Sequence, residues 1–325
     1  MITIDLHTEP EILTQYLEKM GWTNVGELVT AVSKAGEGNM NVVLRVQTNT
    51  RSLILKQSRP YVQKYPQIPA PADRIHTEMA FYRAVQESGI DAHLPKILGF
   101  EPAAYLMLLE DLGQAEDMTA LYQKRNIAAG QLKTLLSVLM QIHKTSVPEN
   151  FPQNLELRQL NHQHIFVLPF LEDNGFDLDS IQPGLQELAT PIKEDDALKQ
   201  IISQLGEIYL AAGTVLLHGD YYPGSWLQAD DNIYVIDPEF CFAGFAEFDL
   251  GVMAAHLIMA TQDPTLLDQI LEGYTLPKDS NLARQVAGTE ILRRIIGLAQ
   301  LPLERSLEEK ASLLELAQKF IHHDN

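Results

Sequence analysis

Cysteine is nearly absent: the 325 residues include only Cys241. That excludes an intrachain disulfide framework and suits a reducing compartment. Cationic side chains are also scarce, with 24 lysines and arginines against 43 aspartates and glutamates and a net charge of −19. This balance argues against a nucleic-acid or anionic-membrane surface, although a small anionic substrate could still be held by local cations and a metal. Long apolar runs are missing. The longest, Leu250 to Ala260, is interrupted by His256 and is about half the length of a membrane-spanning helix. The first residues show neither a basic segment nor an apolar core long enough for a signal peptide. Internal repeats and low-complexity segments are lacking as well. Together these absences predict a soluble cytoplasmic protein with no nucleic-acid and no membrane partner.

What remains is an ordinary globular composition, 46% hydrophobic and 21% charged, in a chain long enough for two lobes. Thr8 and Glu11 read as a capping box opening a first helix, with Ile12, Leu13, Tyr16, Leu17 and Met20 at helical spacing. After a strand near residues 28–32, two strand-like runs follow at Val42–Val46 and Ser52–Lys56, separated by a polar turn. Gly36 and Gly38 sit in the link before them. A proline-rich stretch, residues 66–71, leads to a helix from Asp73 through Glu78 to about Val85. Tyr105–Leu109 reads as another strand, ending at Glu110-Asp111-Leu112-Gly113. Beyond Gly113 the pattern is mostly helical, at 131–143, 197–212 and 265–274, and Ser306 with Glu309 forms a second capping box. A β-like island interrupts it at Val215–Leu217 and Ile233–Ile236. The fold class expected is α+β in two lobes, residues 1–112 and 113–325.

Phosphoryl transfer from ATP needs donors for the phosphates, a carboxylate to receive the acceptor's proton, and acidic ligands for magnesium. Gly36 and Gly38 permit a tight turn whose N–H groups approach phosphates. Lys56 ends a strand and reaches the α/β-phosphates, and Glu78 on the next helix can hold it as an ion pair. Asp220 follows one short strand, while Asp237 and Glu239 follow the next and offer hard oxygen ligands. Each has a plainer reading: a β-turn for the glycines, a solvated head for Lys56, a surface position for Glu78, a turn for Asp237-Pro238. Their order on the required elements favours the chemistry.

These residues resemble the aminoglycoside phosphotransferase and choline kinase superfamily, a branch of the protein-kinase-like fold. Its His-Gly-Asp signature is matched by His218-Gly219-Asp220, its Pro-Gly by Pro223-Gly224, and its metal motif by Val235-Ile236-Asp237. Within it the chain is most similar to the 5-methylthioribose kinases, which carry serine where most relatives have asparagine, as Ser225 does here. Asp237-Pro238-Glu239-Phe240, the Gly36–Asn41 loop, Asp73-Arg74 and Arg293-Arg294 add to the likeness.

The resemblance implies a two-lobed kinase fold, with Asp220 as the base and with Asp237 and Glu239 as ligands of Mg2+. It implies ATP at Gly36, Gly38, Asn39, Lys56 and Glu78, with Glu110 and Leu112 in the hinge that meets adenine. His218 and Ser225 would support the catalytic loop, and Arg293, Arg294 and Tyr222 would face the acceptor or the transferring phosphoryl group. The plainer reading of the arginines is a helix-surface ion pair with Glu290 or a neighbour. The expected partners are ATP and a small-molecule alcohol, and a homodimer is compatible with the sequence. Tyr221-Tyr222 departs from the family pattern, and residues 114–200 match little of it. A sugar-like acceptor therefore stands beside an aminoglycoside, a choline-like amino alcohol or a hydroxy amino acid, and a nucleotide-binding module is the third reading. His162 and His164 read as polar lining or structural residues, since no third ligand has zinc spacing. His143 and His256 read as helix residues with satisfied partners, and Cys241 as a small buried residue.

Overall fold

A computed structural model describes residues 2–36, 40–86 and 88–322. The N-terminal lobe is built on an antiparallel five-stranded sheet. Its order is Val29–Lys34, Val42–Thr48, Ser52–Gln57, Leu106–Glu110 and Ile97–Glu101. Side chains alternate across a pleated sheet, and this assigns the faces. Leu53, Leu55, Leu106 and Leu108 point to a small core with Leu13 and Leu17 of the helix Pro10–Lys19. Ile54, Met107 and Leu109 point the other way, toward the larger core, and Lys56 shares their face of the sheet. The helix Arg74–Val85 begins one residue beyond its expected start, and Asp73 provides no side-chain cap.

The first capping box is not formed. Pro10 occupies the first helical turn, the N-cap is Glu9, and Thr8 is tied instead to Asp5. The second is formed: Ser306 N donates to Glu309 Oε2 at 2.7 Å, and Glu309 N donates to Ser306 Oγ at 3.1 Å.

The C-terminal lobe is helical. Glu247–Thr261 is buried on every side as far as Ala260, which explains its continuous apolar texture. It packs on Ser280–Ile296, which in turn packs on Leu307–His322. The β-like island consists of two hairpin-like pairs, Val215–Leu217 with Phe242–Gly244 and Trp226–Ala229 with Asn232–Val235. Together they carry the loops that hold Asp220 and Asp237 under the N-terminal sheet. No helix among the described residues is long and apolar enough to cross a membrane.

Candidate active site

Lys56 is not a solvated head. It is 1% exposed, and its Nζ lies 2.7 Å from Glu78 Oε2 and 2.5 Å from Asp237 Oδ1. The Lys56–Glu78 pair expected from their order is formed, and Asp237 adds a second carboxylate from the other lobe. Burial acts against the ammonium, but Asp237, Glu78 and Glu239 outweigh it and hold its pKa above the ordinary value. Asp237 keeps a left-handed backbone, φ 59° and ψ 48°, immediately before Pro238. That is an uncommon conformation for a non-glycine residue, and it directs a half-exposed carboxylate into the cleft.

Glu239 is more enclosed. Its Oε2 receives Asn41 Nδ2 at 2.9 Å and Arg74 Nε at 3.1 Å, while Asn41 Oδ1 accepts from Ser58 Oγ and Arg74 Nε, each at 3.0 Å. Burial raises the Glu239 carboxyl, and Lys56, Arg74 and Asn41 offset part of that rise. The bracket of Asn41, Arg74 and Glu239 was not legible as a unit, although Asp73-Arg74 and the Gly36–Asn41 loop were both singled out.

The cavity beneath the sheet is lined by Gly36, Val43, Ile54, Tyr82, Leu109, Glu110, Leu112, Leu227 and Ile236, with Lys56 and Asp237 at its inner end. Gly38 and Asn39 lie outside the described residues. Glu110 N donates to Lys96 O at 2.9 Å, so that N–H is already committed. Asp111 fastens the hinge to the sheet through Arg45 Nε at 2.7 Å and Ser52 Oγ at 2.5 Å.

Asp220 rests on a clamp that the sequence reading left unassigned. Asp249, fully buried, accepts His218 N at 2.7 Å through Oδ2 and Gly219 N at 3.0 Å through Oδ1. Its Oδ2 also contacts His143 Nε2 at 3.2 Å, and His143 Nδ1 contacts Tyr274 OH at 2.8 Å. His218 Nε2 donates to Ile236 O at 3.0 Å, and its Nδ1 accepts Asp220 N at 3.3 Å. Burial lowers the His218 pKa, which fits a neutral ring bracing the loop. Gly219 has φ +83°, and a Cβ there would lie 2.2 Å from Phe240 O. Only glycine fits. Ser225 is buried, with its carbonyl accepting Ile236 N. Burial raises the Asp220 carboxyl to about 7, against the pull of Arg294 and Arg293.

The two arginines are not a surface pair. Glu290, 1% exposed, takes Arg293 Nε at 2.5 Å through Oε2, and Arg293 Nη2, Arg294 Nε and His256 Nε2 at 2.8, 2.8 and 2.9 Å through Oε1. Burial acts to raise its pKa, but Arg293, Arg294 and His256 hold it well below the usual range. The partner anticipated for the arginines is correct; its burial is not. Tyr122 OH lies 2.5 Å from His256 Nδ1, and burial lowers His256 to about 4 despite the Glu290 hydrogen bond. Arg294 thus has its Nε anchored while its Nη2 stands 3.9 Å from Asp220 Oδ1 and its Cζ 5.2 Å from the Tyr222 ring. A second cavity holds Asp220, Tyr222, Ser225, Glu239, Arg293 and Arg294, with Asn161, Ile165, Phe248 and Val252 as further walls. Asn161 and Ile165 come from the stretch, residues 114–200, in which the sequence motifs matched little of the family pattern. Ile165 lies in a π-helical turn, Gln163–Val167, a form that recurs at functional sites. The two cavities share Val43, Lys56, Gly224 and Asp237, so they are one continuous cleft.

The model of the phosphotransferase enzyme family matches residues 31–286, most of the chain and all of this cleft except Arg293 and Arg294. The chain belongs to that family. Among curated proteins, this family member is 27% identical over 259 residues to the methylthioribose kinase of Exiguobacterium sibiricum, covering 73% of the chain and 63% of that protein. It is 30% identical over 250 residues to that of Yersinia enterocolitica, covering 71% of the chain and 60% of that protein. These matches span less than two thirds of the relatives' length. A match to the Geobacillus thermodenitrificans methylthioribose kinase, 27% identical over 324 residues, covers 85% of the chain and 81% of that protein.

Among solved structures the fold matches LicA choline kinase from Streptococcus pneumoniae, with TM-score 0.52 and 14% identity over 96% of the chain and 98% of that chain. It also matches the spectinomycin phosphotransferase APH(9)-Ia in complex with ADP and spectinomycin, with TM-score 0.57 and 17% identity over 97% and 98%. The kinase-like fold expected from the motifs is the fold of the molecule.

Proposed function

We propose that this chain transfers the γ-phosphoryl group of ATP, with Mg2+, to a hydroxyl of a small sugar-like molecule of the methylthioribose type. The observation that carries the reading is the meeting of the two cavities at Lys56 and Asp237, with Asp220 on the acceptor side. In this reading the lobes divide at residues 112 and 113. Adenine lies against Ile54, Leu109 and Leu112, and the phosphates run toward Lys56. Asp237 offers an exposed hard oxygen and suits magnesium, whereas Glu239 has Oε2 engaged and can contribute only through Oε1. When bound, magnesium would offset charge on the phosphate oxygens.

Asp220 takes the proton of the acceptor hydroxyl as that oxygen bonds to the γ-phosphorus. The bond from that phosphorus to the β,γ-bridging oxygen breaks, and ADP leaves with the electron pair. Asp220 is suited to this by a carboxyl raised to about 7, close to a working base. Arg294, tethered by Glu290, is placed to meet negative charge on the phosphoryl group. His218 and Asp249 hold the loop, and Tyr222 and Ser225 shape the pocket between base and metal motif.

The test is ADP release from MgATP across methylthioribose, ribose, choline, an aminoglycoside and a hydroxy amino acid. Turnover is expected with the thiosugar. Turnover with an amino alcohol alone would overturn the acceptor assignment. Absence of turnover with every acceptor, while MgATP still raises the melting temperature, would favour a binding module.

A further inference from the structure

Arg294 lines a second space besides the acceptor cavity. This cavity, 250 Å3 in volume, is walled by the segment 300–305, the following helix Leu307–His322, and Gln182. Its charged lining is Arg294, Arg305 and Lys310 against a single acid, Glu304, which is exposed. Glu309, the nearest other carboxylate along the chain, is already bound to Arg125 Nη1 at 2.7 Å and to Ser306 N at 2.7 Å.

Arg305 and Lys310 are each 6% exposed. Arg305 donates to Met259 O, Ala260 O and Glu304 O, but its buried Nε has no partner among the described residues. The Lys310 ammonium makes no hydrogen bond or ion pair among the described residues either, and burial alone acts on it, lowering its pKa. A buried guanidinium nitrogen without an acceptor is costly unless something occupies the space, and the Lys310 ammonium on the same cavity wall has no counterion among the described residues.

We propose that this cavity binds a small tetrahedral oxyanion, inorganic phosphate or a compact phosphomonoester, between Arg305, Lys310 and Arg294. A phosphate oxyanion supplies the acceptors that Arg305 Nε and Lys310 Nζ lack. The volume holds such an ion with a few waters, at about 30 Å3 each. The site is separate from the catalytic cleft but shares Arg294 with it, so the anion draws on the cation that stands 3.9 Å from Asp220. Occupancy therefore weakens the hold of Arg294 on the acceptor side, and by linkage a bound acceptor weakens phosphate by the same factor. The inference goes beyond the kinase reading, and its binding test requires no turnover.

The test is thermal unfolding of the full chain with inorganic phosphate titrated at ionic strength held constant with chloride. Methyl phosphate is run in parallel to distinguish free phosphate from a monoester as the preferred ligand. Wild type is expected to show a saturable rise in melting temperature. Lys310→Met weakens the apparent Kd about tenfold or more, and Lys310→Arg restores it. Gln182→Glu, which adds a negative charge to the wall without removing a cation, gives an independent weakening if Lys310→Met does not fold. Lys56→Met leaves phosphate binding unchanged. Equal responses to phosphate and chloride, or binding lost with Lys56 and kept in both Lys310→Met and Gln182→Glu, would overturn the proposal.

Discussion

Asn41 Nδ2 donates to Glu239 Oε2 at 2.9 Å, and this bond joins the N-terminal sheet to the acidic turn of the other lobe. Removing the amide leaves buried Arg74, Ser58 and Glu239 each short of a partner. Asn41→Ala is expected to cost about 1–3 kcal/mol of stability and to raise the KM for ATP severalfold. Thermal unfolding and steady-state kinetics check both.

Lys56→Met strips the buried Glu78 of its counterion. Breaking one side of such a pair costs about 3–5 kcal/mol. Burial already raises the Glu78 carboxyl to about 7 against the pull of Lys56. Without Lys56 its pKa lies further above the unfolded value, and the folded state relieves the cost by keeping it protonated. The variant therefore binds more protons folded than unfolded, and its stability falls as pH rises above the ordinary carboxylate range. Urea unfolding at pH 6 and pH 8 is expected to show a wider gap from wild type at pH 8.

The Asp220 carboxyl is raised to about 7 from an ordinary 3.8. A base must be ionised, so kcat/KM is expected to rise with pH through about 7. Arg294 pulls that value down, and Arg294→Gln moves the acidic limb to higher pH. The same shift has a stability sign. Folded Asp220 holds a proton that the unfolded chain has released between about pH 4 and pH 7. Stability of wild type relative to Asp220→Asn therefore falls as pH rises through that window. Paired denaturation curves at pH 4.5 and pH 8 test it.

Asp249 accepts the backbone N–H groups of His218 and Gly219 from a fully buried position. Asp249→Ala leaves both unpaired and is expected to lower stability by about 2–4 kcal/mol and to abolish turnover. Asp249→Asn, which keeps one acceptor oxygen, is expected to fall between. Calorimetry and ADP release rank the three proteins.

Much of the fold was legible because local pattern and packing agree. The alternation that puts Leu53 and Leu55 on one face and Lys56 on the other is visible in the sequence, and Lys56, Glu78, Asp220 and Asp237 fall on the elements their order suggests. The first helix start was misread because Pro10 fixes the turn and leaves Thr8 to bond Asp5. Partnerships between distant elements were harder to see. Asp249 and His256 lie in one continuous apolar helix, where a buried polar residue signals a network without naming its members. Asn161 and Ile165 carried no spacing signal, because a π-helical turn and a distant fold contact bring them to the pocket. The charge on Glu290 was anticipated as a partner of the arginines, but only packing against Glu247–Thr261 explains why that ion pair is buried.

The central claim is that Asp220 receives the proton of the acceptor hydroxyl. The most direct test is kcat with a saturating acceptor, alongside MgATP affinity by calorimetry, for wild type and Asp220→Asn. The account predicts a fall in kcat of about 10²–10⁴-fold with MgATP affinity essentially unchanged. An Asp220→Asn protein that retains wild-type kcat would contradict it.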